Sequence, residues 1–167
     1  MTDRPGNPLI FVPTFGNIED ATESEGIRPL KFQVDVNASG GDHGNDYPFF
    51  RLAEMLLIKA EAMNELGGPS AAAVGLVNQL RERAFDPADY VPYQAGNFTQ
   101  DSFRDMIMDE RVRELAFEAK RRQDMVRAGT FSGTWEFKTI TDPYRVVFPI
   151  PQVQLDSNPN MTQNPGY

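Results

Sequence analysis

Residues Asp109 to Gly129, DERVRELAFEAKRRQDMVRAG, interleave five acidic and six basic side chains with apolar ones at a helical spacing. At 3.6 residues per turn, Phe103, Met106, Ile107, Glu110, Glu114 and Phe117 fall on one strip. Val112, Leu115, Ala116 and Ala119 fall on the opposite side. A helix that is apolar on two faces is covered on both, so some of its charges lie inside the protein and need partners there. The expected outcome is an internal ion-pair network built on Glu110, Arg111, Glu114, Arg121 and Asp124. On that expectation, Glu114→Ala or Arg121→Ala costs on the order of 3 kcal/mol.

Charge bookkeeping points the same way. The chain of 167 residues carries a formal charge of −8, yet this one stretch is +1, which leaves −9 on the remainder. The positive charge is used locally, and an acidic chain without a basic excess is a poor partner for nucleic acid. With no cysteine, disulfides, thiolate metal sites and cysteine nucleophiles are excluded. No run approaches the roughly 18 apolar residues of a membrane span, and MTDRPGNPLIFVP lacks the segments of a signal peptide. As given, the chain reads as soluble, and any export signal of a longer protein would lie outside it.

Residues 1–46 read as extended and loop, because Pro5, Pro8, Pro13 and Pro29 break any long helix. Leu30, Phe32, Val34 and Val36 alternate with polar residues, the period of a strand with one buried face. The loop NASGGDHGND follows, holding the only histidine, His43, beside Asp42 and Asp46. Its spacing does not fit a calcium loop, and a polar glycine-rich connection is the simpler reading, so no metal site is assigned.

Residues 47–129 read as helical. Pro48 opens a helix from about Phe49 to Leu66 with a core stripe of Leu52, Met55, Leu56, Ala60, Met63 and Leu66. Its Glu54, Glu61 and Glu65 take the wetter side. Gly67-Gly68-Pro69 ends it, and Ser70 caps a second helix from about Ala71 to Phe85, with Ala73, Leu76, Val77, Leu80 and Ala84 inward. So short a connection makes the two antiparallel neighbours. Thr99 caps a third helix that runs from about Gln100 through the mixed-charge stretch. Residues 130–167 read as strand, turn and a proline-rich tail, with a strand at Tyr144 to Phe148 and Ile150, Val153, Leu155 and Met161 clipping the tail down.

The carboxylates and aromatics of the chain suggest more than one chemistry. Glu110 and Glu114 lie one turn apart and could form a glycosidase pair roughly 5 to 10 Å across, but the adjacent arginines favour a structural network. A carboxylate-bridged metal site would need Glu-x-x-His pairs that a single loop histidine cannot supply. No nucleophile elbow, phosphate loop or dinucleotide fingerprint is present, so no cofactor is assigned. Tyr90, Tyr93 and Trp135 could stack on sugar rings, although aromatics that pin a loop to helices are commoner. The residues alone favour binding or scaffolding over catalysis, with a helical protein-interaction module or a glycoside-processing enzyme as the alternatives.

A set of short segments adds to this. They are Gly26 to Lys31, Phe50-Arg51-Leu52-Ala53-Glu54-Met55-Leu56-Leu57 with Ala60-Glu61-Ala62, and Val77 to Ala84. Asp109-Glu110-Arg111, Glu114 to Glu118, Arg121, Asp124 to Gly129, Phe148 to Pro151, Asn158-Pro159 and Gln163 to Tyr167 continue the series. In order and spacing the chain resembles the SusD/RagB family of outer-membrane nutrient-binding lipoproteins. The resemblance implies a mainly α fold of antiparallel, tetratricopeptide-like helix pairs (an alpha-alpha superhelix), here the C-terminal portion of the family's fold. It implies a non-enzymatic role in capturing an oligosaccharide or polysaccharide for a SusC-like TonB-dependent transporter. It further implies a cell-surface location at the outer membrane, through a lipid-anchored cysteine that would lie upstream. The family usually has glycine where this chain has Ala119, which would let one helix end and another begin near Arg121. Alanine makes continuation easier. An aromatic frequent in the family near Arg122 or Gln123 is missing.

Overall fold

The computed structural model describes residues 6, 8–17, 19–26, 31–32, 35–38, 40, 43–136 and 138–167. The chain divides into two compact units, Met1–Asn45 with Gly133–Thr141, and Asp46–Ser132 with Asp142–Tyr167.

Among the described residues of the first unit there is no strand, only two isolated bridges, Val12 with Glu25 and Trp135 with Lys138. Val12 donates its N–H to Ser24 O at 2.9 Å, and Gly26 donates back to Val12 O at 2.8 Å. Of the alternating segment Leu30 to Val36, residues 30, 33 and 34 lie outside the described residues. Val36 is 92% exposed and sits in a turn, so the expected buried face does not extend to it. That turn is organised by Asp35, whose carboxylate accepts the N–H of Asn37 and of Gly44, each at 2.9 Å.

The second unit is helical. Helix α1, Leu52–Gly67, and helix α2, Ala71–Ala84, form an antiparallel pair joined by three residues. The Ser70 hydroxyl accepts the Ala73 N–H at 3.1 Å to start α2. Helix α3, Gln100–Glu114, starts on a reciprocal cap between Thr99 and Ser102 and packs on α1. Their shared core is Ala53, Leu57, Ala60, Ala73, Val74, Val77, Leu80, Phe103, Ile107 and Leu115.

The α1 face differs from the expected stripe. Leu52 is 72% and Leu66 91% exposed, while Ala53, Glu54, Leu57, Ala60 and Asn64 point inward. LAEMLLIKAEAM is apolar on almost every face, so periodicity alone selects the wrong register. What selects the observed one is polar: Asn64 donates to Gln100 O at 2.8 Å and accepts on its carbonyl from the Gln100 side chain at 2.7 Å, tying α1 to the start of α3.

The mixed-charge stretch is not one helix. After Glu114 the chain turns through residues 115–120 and restarts as α4, Arg121–Arg127. Phe117 at φ 63° and Ala119 at φ 56° take the left-handed conformation that makes the turn. Phe117 thereby leaves the strip it would occupy on a continuous helix and is 67% exposed.

The C-terminal region also departs from expectation. Tyr144 to Phe148 is no strand; Pro143–Val146 is a 3-10 turn, and Gln152–Ser157 in the tail forms a short helix, α5. Val153 is 73% exposed, so apolar clipping is minor there. Polar bonds hold the tail instead. The Gln163 amide accepts from Ile150 N at 2.8 Å and donates to Ile150 O at 2.9 Å, and Tyr167 OH donates to Val147 O at 2.8 Å.

Candidate functional site

Every helix of the α1–α4 core contributes a charge to one of three sets of ion pairs. At the centre of the first, Arg111 on α3 donates from Nε to Asp124 Oδ2 on α4 at 2.8 Å. The same guanidinium lies 3.8 Å from Glu54 of α1 through Nη2. Glu54 is in turn 3.1 Å from Lys120 Nζ, which also donates to Phe49 O at 3.0 Å. Asp124 meets Arg127 at 3.3 Å, and Arg127 grips both oxygens of Glu61. Glu54, Glu110, Arg111, Glu118 and Asp124 are all buried.

A second branch starts at Arg51, the residue before α1. It donates from Nε to Glu118 at 2.7 Å and reaches the Glu114 carboxylate and backbone carbonyl through its Nη atoms. Arg83 of α2 adds two bonds to the Glu114 carboxylate at 2.7 and 2.8 Å. Burial would raise the pKa of Glu114, but the Arg83 and Arg51 hydrogen bonds outweigh it and hold the carboxyl below its ordinary value. Arg51 is pushed down by burial and raised more by Glu118 and Glu114, so the pair stays ionised. Glu110 is bonded to Arg113 at 3.0 Å and lies 3.7 Å from Arg81.

Of the residues expected in the network, Glu110, Arg111, Glu114 and Asp124 are in it. Arg121 is not: it is exposed and makes no ion pair among the described residues. Arg51 takes the role assigned to it. The exchange goes with the helix break: Arg121 becomes the first residue of α4, with its side chain exposed. Sequence reasoning missed Arg51, Glu54, Arg83 and Lys120. The signal available was only that buried carboxylates demand cations; which cations meet them depends on how α1, α2 and the 115–120 turn meet.

The aromatic candidates are not brought together. Tyr90 OH donates to Asn78 O at 3.2 Å, and the Asn78 amide brackets the Tyr93 backbone at 2.8 and 2.9 Å. Arg81 stands 4.0 Å over the Tyr93 ring, whose edge meets Phe98. Both tyrosines thus fasten the loop before α3 to α2. Trp135 belongs to the first unit, half exposed, with Lys138 Nζ 4.4 Å over its ring. Among the described residues no group of His, Asp or Glu could hold a metal ion, and no helix is long and apolar enough to cross a membrane.

Comparison with known proteins places this geometry in context. The sequence profile of the SusD family matches residues 6–141 and 128–167. A SusD-like protein of Formosa agariphila is 37% identical over 149 residues, covering 81% of this chain and 28% of that protein. The starch-binding protein SusD of Bacteroides thetaiotaomicron is 36% identical over 131 residues, covering 73% of this chain and 22% of that protein. A solved SusD homologue from Bacteroides thetaiotaomicron superposes at a TM-score of 0.61 and 30% identity, over 78% of this chain and 30% of its own. A SusD-like protein from Bacteroides fragilis, at 24% identity and a TM-score of 0.60, has the same fold. The chain spans about a quarter of the length of the relatives it matches.

Proposed function

The chain belongs to the SusD family, and on that premise we propose that it is the helical scaffold portion of a non-enzymatic glycan-capture protein. The whole protein sits on the cell surface at the outer membrane, held by a lipid anchor, and hands oligosaccharide or polysaccharide to a SusC-like TonB-dependent transporter. This portion supplies rigidity and a partner-docking surface rather than the main sugar contacts.

The observation that carries this reading is where the family-like segments fall. Arg51 to Glu54, Asp109 to Arg111, Glu114 to Glu118 and Asp124 supply both members of the central ion pairs, Arg111 with Asp124 and Arg51 with Glu114 and Glu118. The segments that carry the family resemblance are therefore the ones that lock the helices together. Catalysis by Glu110 and Glu114 fits poorly beside this. A general acid needs a raised pKa, whereas the Glu114 carboxyl is held low, and Glu110 is buried against two arginines.

The test is titration of the intact polypeptide against a panel of neutral and charged oligosaccharides, run beside a hydrolysis assay on the same panel. Binding without turnover is the expected result. Turnover that Glu110→Gln and Glu114→Gln abolish while the fold survives would replace this reading with the glycosidase one. Absence of any glycan binding would leave a protein-interaction module.

A further inference from the structure

Helix α1 packs on α2 and α3 through Ala53, Leu57, Ala60 and Asn64. On its opposite face Leu52, Met55, Ile58, Ala62 and Leu66 are all exposed. These positions recur at three- and four-residue steps, so at 1.5 Å per residue they form one apolar strip about 21 Å long.

The other two long helices do not treat their outer faces this way. Gln79 and Glu82 stand out from α2, and Asp101, Asp105 and Asp109 from α3. Of the three, α1 alone is apolar on both faces, and a helix apolar on both faces is one that is covered on both. Single exposed leucines need no explanation, whereas a contiguous strip marks an interaction surface. One edge of the strip opens into a groove of about 450 Å³, bounded by Glu54, Ile58, Glu61 and Ala62 of α1, Arg111 of α3 and Arg127 of α4. Strip and groove side by side are the ridge and hollow into which a neighbouring helix interdigitates.

Charge narrows the choice of neighbour. Lys59 is exposed in the middle of the strip and has no ion pair among the described residues. Glu61 and Glu65 beside it are already held by Arg127 and Arg104. Lys59 lies midway between Leu52 and Leu66, so two copies of α1 laid strip to strip about a twofold axis would set Lys59 against its own equivalent, whether parallel or antiparallel. Like charges so placed are destabilising. A different helix with a carboxylate at that point has no such conflict. The chain spans about a quarter of the length of the relatives it matches, and Leu52, Met55 and Ala62 fall within the segments that carry the family resemblance.

We infer that the outer face of α1 is an intramolecular docking surface for an amphipathic helix from the rest of the polypeptide, with its apolar side on the strip and a carboxylate at Lys59. Helix α1 is then the middle layer of the scaffold rather than its edge. The inference rests on the scaffold part of the reading above and says where that scaffold continues.

Thiol labelling tests it, because this sequence has no cysteine. Ala62→Cys on the strip and Gln79→Cys on α2 both sit at exposed positions outside the ion-pair network. In the intact polypeptide, with the parent's own labelling subtracted, Ala62→Cys should react with a charged maleimide about tenfold more slowly than Gln79→Cys. That protection should persist on dilution. Lys59→Glu should lower the melting temperature, and Lys59→Arg should leave it in place. Equal labelling rates overturn the inference, since the strip is then bare. Protection lost on dilution overturns it in favour of a second copy, and protection that needs added transporter overturns it in favour of that partner. A melting temperature unmoved by Lys59→Glu overturns the acidic helix. Glycan binding beside an unprotected Ala62→Cys removes this inference and leaves glycan capture standing, whereas protection without binding of any glycan does the reverse.

Discussion

Arg111 and Asp124 are paired at 2.8 Å with 3% and 5% of their side chains exposed, and this contact joins two helices separated by a turn of six residues. Both charges are out of water, so neither tolerates loss of the other. Asp124→Ala should lower the unfolding free energy by about 3 to 5 kcal/mol, because it strands a buried guanidinium. Replacing both with apolar residues of similar size should recover most of that. Urea unfolding of the two single variants and the double variant measures it, and equal losses in the single and double variants would remove the pair from its central place.

Arg121 gives the opposite outcome. The sequence suggested a cost on the order of 3 kcal/mol for Arg121→Ala. Exposed and outside the network, it should instead shift stability by about 0.5 kcal/mol or less. Arg51→Ala should show the large loss, since it bonds Glu118 and Glu114 together.

Glu114 makes stability depend on acid. Its folded-state pKa lies below the ordinary 4.5, so its ion pairs contribute fully above that value and are lost as pH falls through the lowered one. The urea midpoint should therefore decline as pH drops below about 4.5, and Glu114→Gln should flatten that part of the profile. A wild-type profile no steeper than the variant's would contradict this.

Ala119 pays for its backbone. At φ 56° an alanine is strained by about 1 kcal/mol or more relative to glycine. Ala119→Gly should raise the melting temperature, and Ala119→Val should lower it. Scanning calorimetry on the three proteins decides the matter.

The tail rests on two small devices. Gln163→Ala removes both bonds to Ile150 and should speed hydrogen exchange at the Ile150 amide, with about 1 kcal/mol lost overall. Gly166 has φ 94°, and a Cβ there would press into the Tyr144 ring, so Gly166→Ala should displace Tyr167 from Val147. Loss of the Tyr144–Tyr167 ring contact, seen as a change in near-ultraviolet dichroism, is the readout.

Particular residues show how far the sequence could be read. Ser70 and Thr99 announced the starts of α2 and α3, because a cap is local chemistry and needs no tertiary partner. The α2 stripe was legible in part: Ala73, Val77 and Leu80 are buried as expected, but Val74 is buried as well and Ala84, at the C-terminal end of the helix, is exposed. The α1 stripe was not, because that helix is apolar nearly all round and Asn64 and Glu54 set its register through partners far along the chain. Likewise Gln152–Ser157 offers one helical turn that prolines on both sides disguise as extended chain.

The sequence by itself determined a helical, disulfide-free fold, its family, and the need to pair buried charges, because composition, caps and short-range spacing are properties of the chain alone. Tertiary structure decided which charges meet. The left-handed turn at Phe117 and Ala119 ended the helix, brought Arg51 rather than Arg121 to Glu114, and left Arg121 at the edge of a cavity. Those outcomes hang on a strained backbone that only surrounding contacts can enforce, and an alanine in the sequence gives no sign of it.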